Sequence, residues 1–503
     1  MPDNHHLKFV RLGIDTKQEF TVFTHSDCFI CKSEGIESLT QLVVSANHHS
    51  IIATLNVIRS EILKQDEVSL SESAWRELGV KEGDAISLSH LSPVTSLEYV
   101  RAKIHGNELT AAQFKAVVHD IVAGKYSNIH LSSFITACAG DHLNLREIID
   151  LTQAMVETGK QISWNYPIVV DKHSIGGIPG NRTTPLVVAI VAASGLIIPK
   201  TSSRAITSPA GTADTIETMT PVILDQKKIR FIVEKEGGCM VWGGAMGISP
   251  ADDLLIRIER VLDLDPEGQM IASVLSKKAA MGITHVVLDV PVGPTAKIRS
   301  EQAFLRLKEY FAIVGKAMGM EVVVVKTNGS QPVGRGIGPA LEAKDILAIL
   351  QNSASLPVDL KNKAIFLAGV ILEMGKKAQL GKGEHMARQL LESGVAFKKF
   401  LAICEAQGGF KEPPTASLTY DIIATHKGRV IEIQNRQLAK VAKLAGAPND
   451  RAAGIEFYST LGTRVEPGGV LYRIHAESKG ALAYAVAYAR AMPHIVTIVR
   501  DDT

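Results

Sequence analysis

Apolar positions recur with two different periods along the chain, and the change of period predicts its organisation. In residues 1–97, short apolar and β-branched runs predict strands at 7–14, 19–23 and 51–58, and one more after the Gly83-Asp84 turn in 75–91. Beyond residue 98, apolar residues return every three or four positions over 110–123, 132–139 and 144–158, which predicts helices. A small β-rich domain is therefore expected before a helical one.

Strands and helices alternate through the middle of the chain. The pattern predicts strands at 167–171, 285–290 and 321–325, and helices at 185–194, 301–319 and 341–350. Such alternation favours a sheet covered by helices. Two further predicted helices, 251–263 and 268–281, interrupt it. Beyond residue 415, strands at 422–433, 470–474 and 494–499 and helices at 437–444 and 479–491 predict an α+β unit.

We therefore predict an α/β protein of four domains. A β-rich, barrel-like domain occupies 1–97, and an all-α domain combines 98–165 with 250–282. An α/β domain combines 166–249 with 283–414, and an α+β domain closes the chain at 415–503. A chain of 503 residues is longer than one core usually spans, so several domains are expected.

Composition narrows the class of protein. Hydrophobic residues make up 46% and charged residues 21%, and the net charge of +2 is too small for a general nucleic-acid binder. The longest apolar run, 186–199, is too short to span a bilayer, and the N-terminus lacks a signal pattern. We expect a cytoplasmic enzyme with neither nucleic-acid nor membrane partners.

The cysteines, at 28, 31, 138, 239 and 404, are odd in number and scattered, as in a reducing compartment. Cys28 and Cys31 form one CxxC close to His25. Because a zinc site needs further ligands and none lies close in sequence, this motif is a weak signal for metal or redox chemistry. We expect no metal.

Chemistry is concentrated in residues 171–214. Two polar loops there carry Lys172, His173, Arg182, Lys200 and Arg204, many hydroxyls, and glycines at 176, 177, 180 and 211. An apolar run, 166–170, predicts a buried strand that leads into the first loop. A glycine-rich turn exposes backbone N–H groups, and the next helix adds its positive end, which together suit a phosphate dianion. The alternative interpretation is two ordinary polar loops, but the matching chemistry of the two loops favours an anion site. The site is of neither the Walker nor the dinucleotide-binding type, because GxxxxGK[ST] and GxGxxG are both absent from the sequence.

These loops carry a resemblance to a known family. KHSIGG (172–177), SSR (202–204), GT (211–212), SPADD (249–253), SVLSKKAAMG (273–282) and QPVGRGIGPALE (331–342) occur in that order. They resemble the thymidine phosphorylase family, which includes pyrimidine-nucleoside phosphorylases and archaeal AMP phosphorylases. The resemblance implies an all-α and an α/β domain around a cleft, and a homodimer or larger homo-oligomer. It also implies phosphorolysis of a nucleoside or nucleotide to free base and (deoxy)ribose 1-phosphate, with phosphate as co-substrate and no cofactor.

The resemblance also implies roles for particular residues. The phosphate ligands would be Lys172, Ser174, Thr184, Ser202 and Thr212. The substrate would contact Gly177, Ser203, Arg204, Ala205, Ile206, Thr207, Ser208, Ser273, Lys277 and Lys297. His173 and Asp265 are both candidates for donating a proton to the leaving base. The structural alternatives stay open: the hydroxyls as helix caps, His173 as a loop support and Asp265 as a helix start.

Departures from the thymidine pattern bear on the substrate. Glu259 stands where thymidine phosphorylases carry an arginine that holds the pyrimidine carbonyl, and a carboxylate cannot donate there unless protonated. The segment SSRAITS (202–208) and the N-terminal extension resemble the AMP branch. We therefore expect AMP or another nucleoside monophosphate, with thymidine as the alternative. A phosphoribosyltransferase and an inactive nucleotide-binding regulator are more remote, because no Asp-Glu pair for magnesium lies beside Gly176 and the candidate acids are present.

Overall fold

The computed structural model describes residues 6–17, 19–33, 35, 37–205, 208–262, 264 and 266–500. The chain forms two compact units, one of Met1–His142 with Leu254–Leu262 and one of Leu143–Asp253 with Asp263–Thr503. Within the described ranges, no helix combines the length and the apolar character that crossing a membrane requires. The boundaries of the four predicted domains stay predictions.

The first unit begins with a closed barrel in the order β1-β5-β2-β4-β3-β6. Its strands are β1 Leu7–Phe9, β2 Thr21–His25, β3 Gln41–Ala46, β4 His49–Ile58, β5 Glu67–Leu70 and β6 Ala85–His90, with short helices α1 Phe29–Ser33 and α2 Glu72–Leu78. Alternate residues of β3 are buried, as a half-buried strand requires, and Phe9, Leu42, Leu55 and Leu70 are fully buried. The predicted β-rich domain is confirmed, although its first strand ends at Phe9 rather than residue 14.

Helices follow the barrel in the same unit. They are α3 Leu97–Ile104, α4 Ala111–Val122 and α5 Asn128–Ala137, joined by residues 254–262 of a later helix. Thr110 caps α4 in a capping box with Gln113, which sets the start of this helix within one residue of the predicted position. Ser127 caps α5 in the same way, so this helix begins four residues before the predicted position, 132. The cap, rather than the apolar period, sets its start.

A parallel sheet forms the centre of the second unit. Its strands are β7 Val170–Ser174, β8 Ile198–Ser202, β9 Gly238–Trp242, β10 His285–Val292 and β11 Glu321–Asn328. They pair in the orders β11-β10-β7 and β8-β9, and a bridge between Val169 and Ile197 links the two sets. This sheet and its covering helices confirm the predicted α/β class.

The helices of this unit include one, Thr184–Ala193, that is buried on every side. The helices are α6 Leu145–Glu157, α7 Thr184–Ala193, α8 Thr212–Glu217, α9 Gln226–Glu236, residues 250–253 of α10 Pro250–Leu262, α11 Glu267–Ala280, α12 Glu301–Ala317, α13 Pro339–Leu350, α14 Val358–Met374, α15 Gly383–Glu392 and α16 Val395–Gln407. Leu186 to Val191 of α7 are fully buried, in a core shared with α14 and α16. A helix that is apolar all round belongs in such a core.

The position of β7 corrects the sequence analysis. The apolar run predicted a strand at 167–171, whereas β7 runs from Val170 to Ser174 and includes Asp171, Lys172 and His173. Its parallel pairing with β10 extends from His285↔Val170 to Asp289↔Ser174. Lys172 and His173 therefore lie on a central strand with fixed directions, not on the loop that follows it.

The C-terminal part of the second unit holds two small sheets, ordered β12-β15-β17-β13 and β16-β14-β18. Its elements are β12 Gly336–Ile337, β13 Leu418–Ile423, β14 Gly428–Ile433, α17 Asn435–Leu444, β15 Gly454–Phe457, β16 Arg464–Val465, β17 Val470–Ala476, α18 Lys479–Ala491 and β18 Val496–Val499. The single strand predicted at 422–433 is wrong, since β13 and β14 belong to different sheets. The predicted helix 479–491 is confirmed.

Candidate active site

The polar loops singled out in the sequence leave the same edge of the parallel sheet. The carboxyl ends of parallel strands meet at one edge, where ligands of such folds usually bind. Residues 175–183 connect β7 to α7, and the segment after β8 leads into α8. A Cβ on Gly211 would lie 2.4 Å from the carbonyl carbon of Arg204, so the start and the end of this second loop touch.

Lys172 supplies a buried charge at this edge. Its Nζ donates a hydrogen bond of 2.7 Å to Oγ1 of Thr183, the residue before α7. Burial lowers the pKa of Lys172 to about 8, with Asp289 opposing the shift and Lys363 adding to it. Because Thr183 accepts from Lys172, the threonine's own hydroxyl hydrogen can be donated to an anion. The helix N-terminus adds backbone N–H groups to the same place.

A buried carboxylate, Asp289, organises the neighbouring hydroxyls. Its Oδ2 accepts from Oγ of Ser174 at 3.0 Å, and its Oδ1 accepts from Oγ1 of Thr327 at 2.5 Å. Nζ of Lys363, on α14, lies 3.1 Å from Oδ2. Burial would raise the pKa of Asp289, but Lys363 and Lys172 hold it below its usual value. Since a carboxylate only accepts, the Ser174 proton points to Asp289 and must turn away before Ser174 can donate to phosphate.

Arg182 joins the two loops. Its Nη1 donates to Oγ1 of Thr212 at 2.8 Å, its Nη2 to the carbonyl of Ala210 at 2.9 Å, and its Nε to buried Glu342 at 2.7 Å. Thr212, the first residue of α8, is thus placed beside the loop that follows β7. As with Thr183, a hydroxyl that accepts from a cation keeps its own hydrogen for another acceptor.

The other predicted phosphate ligands lie at the same edge. Thr184 is buried at the first position of α7. Ser202 ends β8, and its Oγ is buried without a hydrogen-bond partner among the described residues. Buried polar groups normally find a partner, so an unpartnered hydroxyl fits a place for a ligand. Thr184, Ser202 and Thr212 therefore begin or end elements that meet at one edge of the sheet, and Lys172 lies on β7 two residues before the strand ends.

Of the residues predicted to contact the substrate on the second loop, Arg204 and Ala205 are held by carboxylates, and Ser203 and Ser208 by backbone groups. Arg204 pairs with Asp214 at 3.0 Å and Glu217 at 2.8 Å and packs 4.7 Å over the Trp242 ring. The N–H of Ala205 donates to Asp214, the carbonyl of Ser203 accepts from Ala213, and Ser208 donates to Ala210. Ile206, Thr207 and the candidate acid Asp265 lie outside the described residues.

The opposite face of β7 carries the second group of predicted residues. Side chains alternate along a strand, so His173 points away from Lys172. Lys277, on α11, pairs with Asp252 of α10 at 2.6 Å. Ser273, one turn earlier on α11, shares its face with Lys277. Burial, then the nearby ammonium groups of Lys278, Lys200, Lys277 and Lys172, hold the pKa of His173 well below its ordinary value. This shift favours the neutral form of the imidazole.

Comparisons with known proteins identify the family of this chain. Residues 97–159 match the glycosyl transferase family helical bundle domain, and 166–397 match the a/b domain of the same family. Residues 429–495 match the pyrimidine nucleoside phosphorylase C-terminal domain. A protein named "Putative thymidine phosphorylase" from Legionella pneumophila (strain Corby) is 52% identical over 494 residues, covering 98% of this chain and 96% of that protein. The chain belongs to the thymidine phosphorylase family.

Further relatives support the same family, whose members are pentosyltransferases. "Putative thymidine phosphorylase" of Polaromonas sp. is 52% identical and covers 99% of this chain and 97% of its own length. "Putative thymidine phosphorylase 2" of Acidovorax sp. (strain JS42) is 53% identical, with 97% and 95% covered. Anthranilate phosphoribosyltransferase from Thermus thermophilus has a TM-score of 0.51 at 19% identity over 61% of this chain and 98% of its own. That last likeness concerns the fold alone.

Several residues of the candidate active site were not predicted from the sequence. Asp289, Lys363 and Glu342 were not predicted, although Asp289 interrupts the apolar run of β10 and Lys363 directly precedes that of α14. A charged residue in an apolar run of a buried element is a signal that it has a partner. Asn181 was missed as well, and its Nδ2 donates to Ser174 at 3.3 Å.

Gly177 brings Lys297 to the site. Its φ is +92°, and a Cβ at this position would lie 2.6 Å from the backbone nitrogen of Lys297. The segment after β10 therefore packs directly on the turn after β7. Gly176, beside it, has a φ of +82° but an open surrounding, with nothing within 4 Å of a Cβ. Both positions therefore need a residue that tolerates positive φ, but only Gly177 must also lack a Cβ because the Lys297 backbone leaves no space for one.

We expect Gly177→Ala to destabilise the enzyme more than Gly176→Ala. Both substitutions carry the strain of positive φ, about 1 kcal/mol, but only Gly177→Ala adds an overlap with backbone worth about 1–3 kcal/mol. Thermal unfolding and the KM for phosphate of both variants measure the difference. Equal unfolding temperatures would show that the Lys297 segment is not fixed against this turn.

The CxxC of the barrel gains no further ligands. Cys28 and Cys31 are buried free thiols, and Thr24 Oγ1 lies 3.4 Å from Sγ of Cys31. Within the part of the chain that the structure describes, no cluster of three or more His, Cys, Asp or Glu could hold a metal ion.

Proposed function

We propose that this family member cleaves the N-glycosidic bond of a nucleoside 5′-monophosphate, with AMP as the reference substrate, by using inorganic phosphate. The observation that supports it is the meeting of Lys172, Thr184, Ser202 and Thr212 at one edge of the sheet. One buried ammonium group, hydroxyls with hydrogens to donate and two helix N-termini suit a phosphate dianion. The products are the free base and a sugar 1-phosphate.

The reaction places this phosphate against the anomeric carbon of the sugar. A phosphate oxygen forms a bond to that carbon, the bond to the base nitrogen breaks, and its electron pair leaves with the base. Holding both reactants in this geometry contributes on the order of 7 kcal/mol in favourable cases. Lys172 fixes the dianion, while Arg182 orients Thr212 and Asp289 holds Ser174 until phosphate arrives.

The base occupies the opposite face of β7 in this proposal. Ser273 and Lys277 supply donors there, and Asp252 fixes the position of the Lys277 ammonium group. A neutral His173 donates one hydrogen bond but carries no proton to give up as an acid. We therefore assign protonation of the leaving base to Asp265, which requires a pKa well above its ordinary value.

The choice of substrate depends on Glu259 and on the turn after β7. Glu259 replaces the arginine that would hold a pyrimidine carbonyl, which argues against thymidine and for a purine nucleotide. The backbone and Cβ of Lys297 pack on Gly177, so a lysine follows this turn, and its cation suits a 5′-phosphate. Thymidine stays the second candidate because the relatives of about 52% identity are named putative thymidine phosphorylases.

Base release from separate substrates tests this proposal. With phosphate present, we expect AMP to release its base at least tenfold faster than thymidine or uridine, since each 1.4 kcal/mol of lost contact is about tenfold. Omission of phosphate and the Lys172→Ala variant are the controls. Thymidine cleavage without cleavage of any monophosphate would establish the second candidate. If only free base and phosphoribosyl pyrophosphate react, the enzyme is a phosphoribosyltransferase and the proposal fails.

A further inference from the structure

The loop that carries Lys297 is held by residues from the C-terminal part of the chain. We call residues 293–298, which follow β10, the lysine loop. Nδ2 of Asn435, the first residue of α17, donates to Oγ1 of Thr295 at 2.9 Å. Oγ1 of Thr295 in turn donates to the carbonyl of Ile433 at 3.3 Å. The two groups that hold this threonine lie 138 and 140 residues further along the chain.

The same asparagine also holds the neighbouring loop, which follows β11. Nδ2 of Asn435 donates a second hydrogen bond, of 3.2 Å, to the carbonyl of Gly329. Because a carbonyl only accepts, this bond fixes which end of the Asn435 amide faces the two loops. Asn435 is 1% exposed, and a buried hydrogen bond costs more to lose than one that water replaces.

Backbone contacts transmit this hold from Thr295 to Lys297. Within the lysine loop, the N–H of Gly293 donates to the carbonyl of Ile298 at 3.1 Å, and the N–H of Ala296 donates to the carbonyl of Gly293 at 3.1 Å. Ala296, which lies between Thr295 and Lys297, is fully buried. A loop closed on itself in this way positions Lys297 wherever Thr295 is fixed.

The other side of the lysine loop packs on the turn after β7, where the Lys297 backbone leaves no space for a Cβ on Gly177. The loop is thus held between this turn and α17. Thr295 belongs to the residues that match the a/b domain, and Asn435 to those that match the C-terminal domain. Their hydrogen bond therefore joins two domains beside the loops of the candidate active site.

We propose that Asn435 is a positioning residue for recognition of the substrate's 5′-phosphate. It holds Thr295, and through the lysine loop it sets where the ammonium group of Lys297 meets that phosphate. A lysine binds an anion better when its backbone is already ordered, because ordering a loop on binding costs conformational entropy. The pairing of Lys297 with a 5′-phosphate rests on the proposed function, whereas the anchoring of the lysine loop does not.

Hydrogen exchange of the full chain, followed by mass spectrometry, tests the anchoring without any substrate. In Asn435→Ala, the peptide that spans the lysine loop should exchange about fivefold faster or more, since its anchor is lost. Thr295→Val removes the hydroxyl and should have a similar effect, and Thr295→Ser a smaller one. Asn449→Ala, which removes an exposed asparagine in the same part of the chain, is the matched control and should leave the exchange unchanged.

Steady-state rates with AMP and with adenosine, which lacks the 5′-phosphate, test the role in recognition. Asn435→Ala should raise KM for AMP about fivefold, while KM for adenosine and both kcat values stay within about twofold of wild type. In a Lys297→Met background, the same substitution should cause no further loss with AMP, because the group that it positions is already absent.

Each result decides the proposal. Unchanged exchange of the lysine loop in folded Asn435→Ala overturns it, and so do equal rises in KM for AMP and adenosine, which indicate a general structural role. If Asn435→Ala does not fold, Thr295→Val, at a half-buried position, decides by the same two measurements. If the wild-type enzyme releases no base from AMP, the proposed function fails and the role in 5′-phosphate recognition fails with it. Faster exchange in the variants would even then show that Asn435 holds the lysine loop.

Discussion

Replacing Lys172 with Ala is expected to lower kcat/KM for phosphate by at least about 30-fold, equivalent to about 2 kcal/mol of transition-state stabilisation. Lys172 is the buried ammonium group at the edge where the hydroxyls meet, and it holds Thr183 at 2.7 Å. Its loss removes the charge and also the contact that orients Thr183. Steady-state rates at several phosphate concentrations separate the loss of phosphate affinity from a loss of turnover.

Two variants make this result specific. Lys227→Ala removes an exposed lysine and should keep wild-type rates. Thr183→Val keeps the Lys172 charge but removes its hydroxyl partner, so we expect a smaller loss, of about 1 kcal/mol. Lys172→Ala must also retain a cooperative thermal transition. Undiminished turnover at subsaturating and saturating phosphate in a folded Lys172→Ala enzyme would exclude Lys172 as the phosphate charge.

Asp265→Asn is expected to reduce kcat by about 100-fold or more, as for other lost general acids. The substitution keeps the shape of the side chain but removes its acidic proton, so KM should change less than kcat. If Asp265 is the acid, wild-type activity falls as the pH rises above its pKa, because only the protonated form donates. The alkaline limb of the pH profile should then disappear in Asp265→Asn.

The neighbouring Asp263 offers a charge-matched control, since Asp263→Asn makes the same change two positions earlier in the chain. It should keep the alkaline limb and most of the activity. His173→Gln should be milder than Asp265→Asn, because a neutral imidazole contributes a hydrogen bond and no proton. If instead His173→Gln abolishes the alkaline limb and Asp265→Asn stays near wild type, the assignment of the acid is reversed and thymidine becomes the better substrate candidate.

The sequence was a good guide to elements whose signals are local. Helices at 110–123, 144–158 and 479–491 follow apolar periods and caps, and their observed bounds agree within one residue at each end. The bounds of strands, which depend on pairing with other strands, were predicted less well. β7 was predicted three residues too early. The apolar residues show which part of the chain is buried, whereas the hydrogen-bonded pairing with β10 determines where the strand begins and ends. The strand predicted at 422–433 was wrong, because β13 and β14 pair in different sheets.

The sequence by itself determined the family, the α/β class and the residue types of an anion site, because KHSIGG, SSR and GT are local patterns of charge, hydroxyl and glycine. Only the tertiary structure decided which groups act together. The carboxylate that holds Ser174 lies 115 residues away, the one that holds Arg182 lies 160 residues away, and Lys278 reaches Asp171 from a separate helix. Hydrogen bonds and ion pairs depend on distance in space, which chain spacing does not encode, so the charge state of His173 could be inferred only after the strands and helices were in place.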